Sequence, residues 1–123
     1  MANIRIRHEI IELIDFTLKN NEVIEPLCDI FEKNNKIYID LEIVGLDESN
    51  FKIEINNNIM TVTGVKKKHS VENANYLRAE RIFGVFKKTV EIPNKASNIE
   101  NVIYKKGILR IIMNKGWKSL WMT

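Results

Sequence analysis

The chain has 123 residues, 45% of them apolar and 28% charged, with a formal net charge of +3; that composition describes one domain with enough apolar material for a core and no room for a second. Lysines and arginines are interspersed with carboxylates and form no continuous basic stripe, which argues against nucleic acid as a partner, and no stretch approaches the roughly 18 apolar residues of a membrane helix, which argues against a membrane. The single cysteine, Cys28, excludes an internal disulfide framework and fits a cytoplasmic location, and Glu9 and Glu12 precede any long apolar run, so no secretory signal is expected.

Residues 1–25 differ in character from the rest. Ile6, Ile10, Ile11, Leu13, Ile14 and Leu18 recur at spacings of three and four, with Glu9, Glu12, Asp15 and Lys19 between them, which predicts a short amphipathic helical arm. Asn20-Asn21 would end it, and Pro26 separates it from the remainder of the chain. Such an arm packs on its own domain or docks on a partner chain or an unfolded polypeptide.

From residue 26 the pattern changes to period two, the spacing at which alternate side chains of a strand share a face. Lys36 to Ile43 places Ile37, Ile39, Leu41 and Ile43 on one side and Lys36, Tyr38, Asp40 and Glu42 on the other, a half-buried antiparallel strand. Phe51 to Ile55 repeats the alternation, and Asn56-Asn57-Asn58 leads into Ile59 to Val65, which predicts a hairpin. Val85 to Ile92 is a further strand, stopped by Pro93, which has no N–H for a ladder. Ile99 to Tyr104, a turn at Lys105-Lys106-Gly107, and Ile108 to Met113 form a last hairpin. Short strands divided by polar turns predict an all-β antiparallel sandwich over residues 26–115, with a short tail over residues 116–123.

Catalytic chemistry is not expected. His8, His69 and Cys28 have no spacing that suggests a metal site or a nucleophile–base pair, so neither metal nor other cofactor is predicted. No Gly-x-x-x-x-Gly-Lys phosphate loop is present, Lys66-Lys67-Lys68 reads as a solvated turn, and the carboxylates are scattered over exposed strand faces. The chain reads as a binding module and not as an enzyme.

Five short segments, in order, resemble the α-crystallin domain of the small heat-shock proteins. Pro26 to Glu32 is similar to that family's opening strand, and Ile43-Val44-Gly45-Leu46 to its Leu-Pro-Gly-Val turn, with Val44 where proline is usual. Glu80-Arg81-Ile82-Phe83-Gly84-Val85-Phe86 matches its Glu-Arg-x-x-Gly-x-Phe element, Ile92-Pro93 its Leu-Pro, and Gly107-Ile108-Leu109 its Gly-Val-Leu hairpin. The resemblance runs from about Pro26 to Lys115. It implies an immunoglobulin-like sandwich, a homodimer, and ATP-independent capture of non-native client proteins. It also implies that the loop from Lys66 to Leu77 leads to a strand, Asn75-Tyr76-Leu77-Arg78-Ala79, exchanged onto the partner's sheet, with Arg81 near the dimer contact. Read by itself, Glu80-Arg81 is equally a solvated ion pair of little worth.

Two departures bear on assembly. Lys88 stands where the family usually has arginine, and it lacks the planar fork that grips a carboxylate bidentately, so an intersubunit ion pair there is expected to be weaker. No Ile-x-Ile follows Lys115, which predicts against the large cage-like oligomers of the family. Ile4-Arg5-Ile6 carries that pattern at the other end of the chain and is expected to dock between the strand of Ile53 and Ile55 and the strand of Val102 and Tyr104, with Leu109 also in the groove. Trp117, Leu120 and Trp121 are a competing insert, at spacings that suit one helical turn.

The expected function is therefore that of a holdase that prevents aggregation, with Ile4, Ile6, Ile10, Leu13, Ile14 and Leu18 as client-binding arm residues. Expected assemblies are the homodimer, a higher oligomer, or a hetero-oligomer with a longer paralogue that supplies the missing tail motif. The alternative is a co-chaperone or scaffold sandwich that binds one defined protein partner.

Overall fold

The structure, a computed structural model, describes residues 2–4, 23–68 and 70–116. The predicted helical arm, His8, His69 and the tail from Trp117 onward lie outside the described residues. The described residues form eight strands: β1 (Ala2–Ile4), β2 (Cys28–Lys33), β3 (Lys36–Glu42), β4 (Leu46–Asn56), β5 (Ile59–Lys66), β6 (Gly84–Glu91), β7 (Ala96–Lys105) and β8 (Ile108–Lys115). They form two antiparallel four-stranded sheets, ordered β1-β4-β5-β6 and β2-β3-β8-β7. The all-β sandwich expected from the alternation is the fold observed.

Turn chemistry sets the registers. Asn34 and Asn35, with φ of 51° and 66°, join β2 to β3, and Lys106 and Gly107, with φ of 52° and 80°, join β7 to β8. Two successive residues of positive φ make the tight turn whose twist matches that of the flanking strands. Asparagine tolerates this conformation through its short polar side chain. The Asn34-Asn35 hairpin was not among the turns expected from sequence.

Each sheet turns one face inward. Ile37, Ile39 and Leu41 of β3 and Leu109, Ile111 and Met113 of β8 meet Ile53 of β4, Met60 and Val62 of β5 and Phe86 of β6, all buried. Each such side chain contributes on the order of 1.5–3 kcal/mol by leaving water. Phe86 lies opposite Gly64 in the β5–β6 register. A Cβ built on Gly64 would come within 2.7 Å of the Phe51 Cβ and 2.8 Å of the Phe86 ring, so the bare backbone there makes room for the largest core side chain.

Tyr104 ties the two layers together on one flank of the sandwich. Its hydroxyl donates to the Ile43 carbonyl at 2.7 Å and accepts from the Leu46 N–H at 3.3 Å, linking β7 to the turn between β3 and β4. On the outward face of the second sheet, the Phe31 and Tyr38 rings stack at 4.9 Å. Arg110 lies over both rings and grips Asp40 with two hydrogen bonds of 2.8 Å. These residues pair across β2, β3 and β8, so this cluster fixes the register from the outside as the core does from within.

Two strands begin earlier than the alternation predicts by several residues. β4 begins at Leu46, with a register shift before Phe51, because Asp47 accepts hydrogen bonds from the Ser49 N–H and the Asn50 side chain and folds that polar stretch against the ladder. β7 begins at Ala96, with shifts around Ile99. Irregularities of this kind break the period-two signal while leaving the strand intact.

Gly64→Ala is expected to destabilise the domain by about 1–3 kcal/mol through overpacking against Phe51 and Phe86, read as a lower midpoint in thermal or urea unfolding with the slope in urea unchanged. Tyr104→Phe removes one donor and one acceptor at the layer junction and is expected to cost about 1–2 kcal/mol with little change in secondary structure by circular dichroism.

Candidate functional site

A two-layer sandwich with a filled interior offers partners its strand edges and its loops. The edge of β4 is taken by the chain's own β1, in antiparallel register with Ala2 opposite Ile55, Asn3 opposite Glu54 and Ile4 opposite Ile53. Ile24 takes part of the β6 edge, its N–H donating to the Val85 carbonyl at 2.9 Å and its carbonyl accepting from the Lys87 N–H at 2.9 Å. This bridge is parallel. β2 and β7 are the outer strands of the other sheet.

The five residues expected to line a groove divide into two groups. Ile53 and Leu109 have no exposed surface and belong to the shared core. Ile55, Val102 and Tyr104 are half-buried and pack against that core from the side. Tyr104 on β7 is linked to Leu46, the first residue of β4, and to Ile43 by its two hydrogen bonds. The backbone of Ile4 pairs with that of Ile53 on β4. Ile6, Ile10, Leu13, Ile14, Leu18, Trp117, Leu120 and Trp121 lie outside the described residues.

Lys88 occupies the opposite flank, near β2. Its ammonium stands 3.7 Å from a Glu25 carboxylate oxygen, a pairing within the chain. Burial pushes the Cys28 thiol up from its ordinary pKa, with Lys88 pulling the other way. A raised pKa keeps the thiol protonated and poorly nucleophilic. Among the described residues no group of three or more His, Cys, Asp or Glu side chains is placed to hold a metal ion.

The loop joining β5 to β6 carries five of the ten large apolar side chains exposed among the described residues. Asn75, Tyr76, Leu77, Arg78 and Ala79 are all exposed and form no strand within their own subunit, because an extended segment gains ladder bonds only against an available edge. Leu77 is 99% exposed, and Val71, Tyr76, Ile82 and Phe83 are also exposed. Glu80 pairs with Arg78 at 3.3 Å, both side chains in solvent, while Arg81 is exposed close by.

The loop and the Val44-Gly45 turn border an open pocket of about 790 Å³. Its apolar lining includes Val44, Val71, Tyr76, Ile82 and Phe83, and its cations are Lys66, Lys67, Lys68, Arg78 and Arg81. Lys68 lies over the Phe83 ring at 5.1 Å. The Lys67 N–H donates to the Gly45 carbonyl at 2.7 Å beside the pocket. By sequence, Lys66-Lys67-Lys68 reads as a plain turn and Ile82-Phe83 as spacers inside a longer element. Only the folding of the loop brings these residues together, and the one available signal was two adjacent large apolar residues outside any strand.

Known proteins share this architecture. The model of the Hsp20/alpha crystallin family matches residues 29–119. Small heat shock protein C4 of Rickettsia felis is 33% identical over 104 residues, which cover 81% of this chain and 63% of that protein. Small heat shock protein hspF of Dictyostelium discoideum is 37% identical over 98 residues, covering 74% of this chain and 41% of that one. The chain thus spans less than two thirds of the length of these relatives. Among solved structures, HSP18.5 from E. histolytica superposes with a TM-score of 0.67 at 25% identity over 76% of this chain and 89% of that one. A family model that takes in three quarters of the sequence, from β2 through β8, on a sandwich shared with solved members, establishes that the chain belongs to the Hsp20/α-crystallin family of small heat-shock proteins.

Proposed function

We propose that this chain is a non-enzymatic, ATP-independent holdase of the cytoplasm that binds partly unfolded proteins and keeps them from aggregating. The observation that carries this reading is the concentration of exposed apolar side chains on the loop between β5 and β6, in a member of a chaperone family. Isolated exposed apolar residues are ordinary on a protein surface, but a cluster of them on one loop marks a contact surface. Non-native clients present apolar surface of their own, and burying about 300 Å² of it at roughly 25 cal/mol per Å² gives about 7 kcal/mol before association entropy is deducted. Single contacts of this size are weak, so several subunits acting together would hold a client better than one.

In the proposed assembly the subunit is a homodimer in which Asn75 to Ala79 pair with the partner's sheet, and Arg81 and Lys88 lie near the contact. Ile55, Val102 and Tyr104 accept an apolar segment, either Ile4 with Ile6 or Trp117, Leu120 and Trp121. Residues 1–25, 26–115 and 116–123 then act as arm, binding domain and tail. Higher oligomers, including hetero-oligomers with a longer paralogue, arise from these docking sites. Neither nucleic acid nor membrane is part of the proposal.

Multi-angle light scattering on the purified chain, paired with turbidity of a heated model client without nucleotide, tests this reading. Dimers or larger species that suppress turbidity are the expected result. A monomer that leaves turbidity unchanged would replace the holdase with a sandwich that binds one defined partner. Leu77→Asp sharpens the test: the side chain is almost wholly exposed within the subunit, so thermal stability of the subunit should change by less than about 0.5 kcal/mol. Dimer affinity should fall by about 10- to 100-fold if this strand is exchanged, and an unchanged dimer constant would remove Asn75 to Ala79 from the interface.

A further inference from the structure

The outward face of the second sheet, away from the β5–β6 loop, carries a cluster that packing leaves half open. Phe31, Tyr38 and Ile112 lie in one row across β2, β3 and β8, and Asp40, Arg110 and Ile103 lie in the adjacent row across β3, β8 and β7. Ile103 is 41% exposed, and Phe31, Tyr38 and Ile112 are half-buried although they alternate with core residues. Among the described residues, two sides of the Arg110 guanidinium are engaged: its nitrogens grip Asp40, and one face lies over the Phe31 and Tyr38 rings at 5.5 and 5.2 Å. Its side chain is still 41% exposed, so the other face meets solvent. A guanidinium with its carboxylate already in place still attracts a second π system, and Ile103 and Ile112 beside it favour a large apolar group. The complementary occupant is an aromatic side chain and not an anion.

The chain carries two indoles close to this face. β8, the strand of Arg110 and Ile112, runs to Lys115, and the following Gly116 is held by an N–H bond of 2.8 Å to the Lys95 carbonyl. Residues 117–123, outside the described residues, continue directly from there. They contain Trp117, Leu120, Trp121 and Met122, both tryptophans of the chain, and no carboxylate to compete with Asp40 for Arg110. From Gly116 back to Ile112 is about 13 Å of strand, and the five residues from Trp117 to Trp121 extend about 16 Å at about 3.3 Å per residue. A tail that turns back over its own strand therefore brings Trp121 to the row of Ile112, with Arg110 in the next row.

We propose that residues 117–123 fold back over the outward face of their own second sheet, with the Trp121 indole on the open face of Arg110, between Ile103 and Ile112. This docking covers apolar surface that is otherwise a site for association. It leaves Ile55, Val102 and Tyr104 to Ile4 with Ile6, and a tail held on its own subunit is not free to bridge to another, which limits growth of assemblies through this end of the chain. The docking does not rest on the holdase reading.

Because both tryptophans lie in the tail, intrinsic fluorescence of the full chain reports its surroundings. In a Trp117→Phe background, which leaves Trp121 as the sole reporter, emission should lie to the blue of the urea-unfolded chain, with weaker quenching by acrylamide, and both should persist on dilution. Adding Ile112→Lys should return both readouts to the unfolded values. Adding Ile103→Lys should do the same, and this position is exposed enough to accept the change if Ile112→Lys does not fold, as checked by circular dichroism. Ile59→Lys, as exposed as Ile103 but on the first sheet, should change neither. Emission equal to that of the unfolded chain, a blue shift that vanishes on dilution as for docking on a second copy, or a blue shift indifferent to Ile103→Lys would each overturn the proposal. The readout needs no client, so loss of turbidity suppression and loss of tail docking are observed separately.

Discussion

The structure depends on how two four-stranded sheets fill the space between them. Phe86 is the largest side chain in that space, and it fits because Gly64 on the neighbouring strand presents no Cβ. With its ring in place, the β5–β6 ladder can run continuously from Ile59 opposite Glu91 to Lys66 opposite Gly84. That ladder ends at the point where the long loop leaves and returns, so the packing of one ring against one glycine sets where the loop is anchored. Close packing of this kind leaves the interior without a ligand site, and recognition is pushed to the perimeter.

At the perimeter the governing constraint is the unpaired strand edge. An edge is a template for another chain, and proteins cover it or use it. Here β1 lies along β4 and Ile24 bridges to β6, so residues from the amino-terminal region meet both sides of the first sheet. Backbone N–H and C=O groups on an open edge accept any extended chain whatever its side chains. Selectivity must then come from the side chains around the edge. In this chain those surroundings differ: half-buried Ile55 lies on β4 and Val102 and Tyr104 on β7, Lys88 pairs with Glu25 beside β6, and a basic-rimmed pocket lies at the mouth of the loop.

The central strands were legible because one face of each is buried, and burial enforces alternation residue by residue: Ile37, Ile39 and Leu41 are all sealed inside, with Tyr38 and Asp40 between them turned outward. The first residues of β4 and β7 were not, since Asp47 with Asn50 and the shifts at Ile99 interrupt the period where the strand is irregular. The candidate groove was legible only in part. Ile53 and Leu109, expected to line it, are instead sealed in the core, and no pattern in sequence separates such a residue from one at the open margin, because that depends on which strand lies over it. The Phe31, Tyr38, Arg110 and Asp40 cluster escaped notice for a related reason: its members are separated along the chain and meet only once the β2–β3 and β3–β8 registers exist.

The sequence alone determines an antiparallel sandwich of the α-crystallin type, because strand period and the order of a few short motifs are local properties that each segment carries with it. Which apolar residues are core and which are contact surface, which edges the chain covers with its own residues, and the gathering of five cations around an apolar-lined pocket were decided by the tertiary structure. Those features are made of residues distant in the chain, and charge repulsion, edge pairing and burial act between them only after the sheets have brought them within a few ångströms.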